Sequence, residues 1–189
     1  MHHFINYLCI FYVLMVLLGA FCVRKAVKYK IFTYLYYTAS AFFFFYFLYF
    51  WNESFAGVWD QHRQFSFGLF LSWLLFVTLI SIFFLGETLV RLFCVPFRTK
   101  KEKVIPSRRR FVSLIGMGVA AIPFAGMIYG MLWGRYNYRV VKHTLYFDDL
   151  PEAFDGYRVV HIADIHSGSF DNAEKVQYGI DMINAQQGD

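Results

Sequence analysis

Four long apolar runs, separated by polar links, fill most of the first 134 residues: about 4–23, 31–51, 67–90 and 111–134. Each reaches the ~20 residues that a helix needs to cross the hydrocarbon core of a bilayer. The second run holds AFFFFYFLYFW (41–51), a composition that also suits a strand. Its length, beside three similar runs, predicts a helix instead. Tyr49, Phe50 and Trp51 at its end fit an interfacial aromatic belt. The first run does not read as a cleaved signal peptide. No Lys or Arg precedes it, Arg24, Lys25, Lys28 and Lys30 follow it, and it outruns the usual apolar region. The pattern predicts an α-helical membrane bundle of four transmembrane helices over residues 1–134.

Beyond residue 134 the pattern changes. YRVVKHTLYF (138–147) has strand composition, with period-two alternation through Val141, His143, Leu145 and Phe147. DDLPEAFDG (148–156) reads as a connection, with its tightest turn at Asp155-Gly156. Tyr157 to Ala163 is almost continuously apolar, which predicts a second strand buried on both faces. The polar stretch HSGSFDN (166–172) then reads as a loop. Asp171 with Glu174 predicts a capping box, and Val176, Ile180 and Ile183 lie at helical spacing. Residues 135–189 thus read as the first strands and helix of an α/β domain, incomplete in this chain.

Composition sharpens the first of these readings. The chain is 58% hydrophobic and 22% aromatic with 16% charged residues, a balance that excludes an ordinary soluble domain. The net charge of +5 is unevenly divided. Residues 1–134 carry 13 Lys/Arg against 4 Asp/Glu, and residues 135–189 carry 5 against 9. The positive charges sit in links between apolar spans, so the basic balance signals no nucleic-acid partner. Cys9, Cys22 and Cys94 all fall in apolar stretches and suggest neither a disulfide framework nor a Cys metal site.

The links also set an orientation. Links 24–30 and 91–110 are strongly basic, whereas link 52–66 has Arg63 against Glu53 and Asp60. The positive-inside rule puts the two basic links in the cytoplasm and the middle link outside. Four crossings then bring both termini and the acidic tail to the outer face. Within the spans, Glu87 and Arg91 stand at i, i+4 near an end and are expected to form an interfacial ion pair. Gly126 and Gly130 form Gly-x-x-x-Gly, with Gly116 and Gly118 before them, and are expected to let helices of the bundle pack closely.

The candidate chemistry lies in RVVHIADIHSGSF (158–170), where Asp164 and His166 follow the second strand. Functional groups gather at the carboxyl ends of strands in open α/β sheets. A carboxylate and an imidazole suit a divalent transition metal such as Mn, Fe or Zn. His161 lies inside the predicted strand and is expected to be structural, a packing residue and not a ligand.

The wider string LPEAFDGYRVVHIADIHSGSF (150–170) resembles the opening of the calcineurin-like metallophosphoesterase superfamily, in particular its membrane-anchored bacterial branch. That branch has a Leu-Pro leader with a later Gly and Arg, followed by Asp-x-His-x-Gly. Leu150, Pro151, Phe154, Gly156, Arg158, Asp164, His166 and Gly168 match it, while Ala163 and Ser167 replace a frequent Ser and a common Leu. The match covers residues 150–189. It implies an integral-membrane phosphoric ester hydrolase with two divalent metal ions, in which metal-activated hydroxide attacks phosphorus. Asp164 and His166 would be ligands of the first metal.

The resemblance also implies Gly-Asp, Gly-Asn-His and Gly-His-x-His motifs after this one. Gly188-Asp189 is a poor candidate for the first, because no buried apolar strand precedes it. The chain is therefore expected to be an amino-terminal fragment, inactive alone, in a bacterial plasma membrane. Its partners would be the membrane and a phosphate-ester substrate, with lipid-linked phosphate among the possibilities. A non-enzymatic four-span sensor or scaffold with a degenerate tail stays open as the alternative.

Overall fold

The computed structural model describes residues 2–27, 29–52, 61–94, 106–165, 167 and 170–189. They form two compact units, Met1–Met131 and Leu132–Asp189. Helices α1 (His2–Ala26), α2 (Lys30–Asn52), α3 (Gln61–Cys94) and α4 (Pro106–Leu132) build the first. All four are long and apolar enough to cross a membrane. A chain in hydrocarbon must satisfy its own backbone polar groups, which is why even the aromatic-rich α2 is helical.

The helices and the apolar runs do not share ends. Helix α3 has 34 residues, or about 51 Å at 1.5 Å per residue, against a hydrocarbon core of about 30 Å. It therefore starts six residues before the run at 67–90 and ends four after it. Hydropathy marks where hydrocarbon stops, whereas the hydrogen-bonded backbone continues past that point. Helix α4 starts at Pro106, suited to a first position where no N–H is needed. It stops at Leu132, two residues before the expected end, because Gly134 opens a 3-10 turn.

Side-chain contacts give the direction of each helix. Tyr12 donates to the Ser40 carbonyl (2.6 Å) and Tyr36 to the Val16 carbonyl (2.9 Å), so α1 and α2 run antiparallel. Tyr12 also packs on Phe70, and Met15 accepts from Ser81, so α3 runs parallel to α1. Helix α4 opposes α3, with Phe76 on Phe124 and Phe83 beside Gly116. It opposes α1 as well, since Arg110 Nε donates to the Ala26 carbonyl at 3.2 Å. The result is an up-down-up-down bundle. Arg24, Lys25, Lys30, Arg91 and Arg110 all gather at one of its ends.

The core centres on α1, α2 and α3. Phe47 and Phe70 stack at 4.4 Å, and Val77, Ile80 and Cys22 are buried in the same core. Helix α4 contributes the buried Ala120 and turns Ile122, 72% exposed, outward. A large apolar side chain facing outward is expected where the surrounding solvent is lipid. Three hydroxyls in the spans bond back four residues: Thr38, Ser72 and Thr88 to the carbonyls of Tyr34, Gly68 and Phe84. Near the basic end, Glu87 and Arg91 form the expected i, i+4 ion pair at 3.2 Å.

Close packing by the Gly-x-x-x-Gly pair does not occur. A Cβ built on Gly118, Gly126 or Gly130 meets nothing within 4 Å, whereas one on Gly116 meets Phe83 at 2.8 Å. Among the described residues no other helix covers the pair, and Gly116 makes the close approach instead.

The second unit comprises 3-10 turns at Gly134–Tyr136 and Glu152–Phe154 and helix α5 (Ala173–Asn184). Among the described residues there is no strand, so the strands expected at 138–147 and 157–163 are not formed. A strand is a relation between two backbones. These segments exchange no ladder of hydrogen bonds with each other, and alternation alone cannot supply a partner. Burial on both faces fails for the same reason: Val159 is 77% exposed, and His161 is exposed rather than packed. The turn at 152–157 is as expected, with Gly156 in the left-handed region at φ +76° and Tyr157 N–H donating to the Phe154 carbonyl at 3.0 Å.

Candidate metal centre

Asp164 lies at the end of the apolar segment 157–163 and is exposed. Its backbone is left-handed, with φ +58°. That conformation costs most residues about 1 kcal/mol or more, and Asp and Asn tolerate it better than other side chains with a Cβ. The chain therefore turns at the carboxylate and does not continue extended. Residues held in this region cluster at functional sites. His166, expected as the second ligand, lies outside the described residues. Among the described residues no group of three His, Cys, Asp or Glu side chains is gathered in a metal-binding arrangement.

Before α5, Phe170 N–H donates to the Ser167 carbonyl at 3.2 Å. Helix α5 then begins, but not through the expected Asp171–Glu174 box. Asn172 is the N-cap, and its side chain accepts from Lys175 N–H at 2.9 Å. Asp171 is engaged elsewhere. Its Oδ1 accepts from the Tyr136 hydroxyl at 2.6 Å, and its Oδ2 pairs with Arg135. The Tyr136 hydroxyl oxygen in turn accepts from the N–H groups of Asp171 (3.0 Å) and Asn172 (3.1 Å). The hydrogen bond from Tyr136, with help from Arg135, holds the Asp171 carboxyl below the usual carboxylate value.

Tyr136 is the buried aromatic of this unit, at 9% exposure. Lys175 and Arg135 lie 5.0 and 5.1 Å from its ring centroid, within cation–π range. Phe170 stacks near it at 6.4 Å. Tyr138 packs on α5 where Gly179 leaves room: a Cβ there would sit 2.9 Å from its ring. Neither Arg135 nor Tyr136 stood out from the sequence, where an aromatic just past a span reads as a membrane-interface residue. A Tyr-Arg pair followed by an Asp before a helix carries no periodic signal that would have marked it.

At the other end of α5 the chain returns to the start of the 157–163 segment. Asp189 N–H donates to the Arg158 carbonyl at 3.0 Å, and its Oδ2 accepts from Arg158 N–H at 2.8 Å. Arg158 also donates to the Gln186 carbonyl at 2.9 Å. Asp189 thus sits beside the first residues of that segment, while Asp164 ends it.

The two units are a four-span membrane domain and a short second unit that ends in helix α5. Residues 1–135 match the family model described as probable calcineurin-like phosphoesterase, transmembrane domain, and the chain belongs to that family. No curated protein and no solved structure matches it.

Proposed function

We propose that this chain belongs to a membrane-anchored, metal-dependent phosphoric ester hydrolase, with its catalytic side outside the cytoplasm of a bacterial plasma membrane. One coincidence carries the reading. The family's transmembrane domain over residues 1–135 and Asp-x-His-x-Gly at 164–168 occur in the same chain. Asp164 and His166 would hold one of two divalent ions, Mn, Fe or Zn. When bound, such ions supply Lewis-acid stabilisation of charge on phosphoryl oxygens and activation of water.

The residues present fit that role. An exposed carboxylate at a backbone turn is accessible to a hydrated cation, and the oxygen-plus-nitrogen donor pair suits the divalent metals named. The bonds between Asp189 and Arg158 support the α/β reading of the second unit. They bring the backbone after α5 alongside the segment before it, as a strand–helix–strand connection would require. The substrate class is a phosphate ester. A site close in sequence to a membrane span favours lipid-linked phosphate.

The test is manganese binding by the purified chain in detergent, followed by the loss of the free-ion electron paramagnetic resonance signal. Asp164→Asn is the cleanest change, because Asn keeps the shape and tolerates φ +58° while removing the charge. Saturable binding should be lost in Asp164→Asn and His166→Ala and kept in His161→Gln. Undiminished binding by Asp164→Asn would overturn the assignment.

A further inference from the structure

Three helix ends gather at the basic end of the bundle. Helix α1 finishes there with Arg24 and Lys25 in its last turn, α2 begins with Lys30, and α4 brings Arg110. Arg110 Nε donates to the Ala26 carbonyl at 3.2 Å. That bond holds the guanidinium at a residue one position from Lys25, two from Arg24 and four from Lys30. All four basic side chains are exposed. Among the described residues none of the four is in an ion pair, whereas Arg91 at the same end is matched by Glu87. We propose that this cluster is a seat for an anionic phospholipid, whose headgroup phosphate lies between Arg110 and the end of α1. The inference is independent of the metal-site reading above.

The uncompensated charge is larger than the side chains alone supply. Helices α2 and α4 both start at this end with no acidic residue in the first turn. The positive poles of their dipoles therefore add to the cations. Arg110 is the best-placed anchor. A guanidinium carries five N–H donors in a rigid fork, so with Nε on the Ala26 carbonyl its terminal nitrogens still suit two phosphate oxygens. Arg24 is a lesser contributor, because its guanidinium lies 6.0 Å from the Tyr37 ring centroid, at the edge of cation–π range.

The surroundings favour a lipid over a dissolved anion. Phe111 and Ile115 follow Arg110 on α4 at i, i+4 spacing, and both are exposed apolar side chains. They give acyl chains a surface directly below the charge. Cys22 Sγ and the Ser113 carbonyl, 4.0 Å apart, bring α1 and α4 together one turn deeper. A headgroup bound above that contact would bridge α1, α2 and α4, so occupancy should stabilise the bundle. Each basic residue close to an anionic lipid surface strengthens the attraction about 5-fold.

The test uses the whole chain in nonionic detergent, with phosphatidylglycerol, phosphatidylcholine and inorganic phosphate as probes. Native mass spectrometry should show phosphatidylglycerol retained in preference to phosphatidylcholine, and phosphatidylglycerol should raise the thermal unfolding midpoint. Inorganic phosphate at the same concentration should neither raise the midpoint nor displace the lipid. Arg110→Gln and Lys25→Gln should each weaken phosphatidylglycerol retention about 5-fold. Lys142→Gln, the same charge change in the second unit, should retain it like wild type. Lys25 makes no described hydrogen bond or ion pair, so Lys25→Gln reports on the seat even if loss of the Arg110–Ala26 bond loosens α4. Equal retention of the two lipids would overturn the proposal. Displacement by inorganic phosphate would mark a small-anion site and not a lipid seat. If Lys142→Gln falls as far as Lys25→Gln, net charge alone is responsible and the proposal fails.

Discussion

The indole N–H of Trp73 donates to the hydroxyl of Ser40 at 3.0 Å, and that hydroxyl donates to the Tyr36 carbonyl at 2.8 Å. With the Tyr12 hydroxyl on the Ser40 carbonyl, one serine of α2 joins α1 and α3 in the middle of the bundle. Interhelical hydrogen bonds in membranes average about 0.6 kcal/mol and reach about 2. Ser40→Ala should therefore lower bundle stability by about 1 kcal/mol, and Trp73→Phe by somewhat more, because the ring also packs on Phe43 and Phe124. Unfolding in mixed micelles measures both. A Ser40→Ala variant as stable as wild type would show that the bond contributes nothing.

Glycine positions in α4 should respond very differently to a larger side chain. Gly116→Leu forces atoms into Phe83 and should cost roughly 1–3 kcal/mol, the usual range for overpacking. Gly126→Leu and Gly130→Leu add atoms where none lie within 4 Å, and their unfolding midpoints should match wild type. The reverse order would restore the Gly-x-x-x-Gly pair as the packing element.

Orientation is open to a direct test. Arg24, Lys25, Lys30, Arg91 and Arg110 share one end of the bundle, which the positive-inside rule assigns to the cytoplasm. Reporter fusions after Gly57 and after Tyr138 should be active in an outside-only reporter and silent in a cytoplasm-only one. A cytoplasmically active reporter after Tyr138 would reverse the proposed face of the catalytic side.

The Asp171 carboxyl supplies a pH-dependent readout of its contact with Tyr136. Its folded-state value lies below the ordinary 3.8, chiefly through the Tyr136 hydrogen bond and then through Arg135. Lys175, across the Tyr136 ring, adds a second positive charge nearby. A depressed carboxylate value stabilises the folded arrangement above the ordinary value, and this is lost as pH falls through the folded value. The contact should be intact at pH 5 and released only in stronger acid. Carbon-13 titration of Asp171 should give a midpoint below 3.8, rising toward it in Tyr136→Phe. An unmoved midpoint in that variant would remove the hydroxyl as the leading cause.

The four helices were legible because hydrocarbon leaves a chain few choices: roughly twenty apolar residues become one helix. Their ends were not, because Gln61–Ser66 and Arg91–Cys94 continue helix α3 beyond the apolar run at 67–90. The Asp164 position was legible as a chemical signature, and its left-handed backbone was not, since Asp is common in many conformations. The strands failed for a different reason. Val141, Leu145 and Val159 have strand-like composition, but pairing is decided by what lies alongside them. At α5 the error was one residue: Asn172 caps because Asp171 is already taken by Tyr136, a competition between distant side chains that local pattern cannot register.

The bonds from Tyr12 to Ser40 and from Tyr36 to Val16 involve only α1 and α2. These two helices also precede α3 in the chain, and synthesis proceeds from the amino terminus. The hairpin can therefore enter the membrane with both phenols already satisfied, before α3 exists. Trp73 and Ser81, which reach Ser40 and Met15 from α3, then close over a partner that is already folded. Both tyrosine hydroxyls thus find their partners within one helical hairpin, independently of α3 and α4.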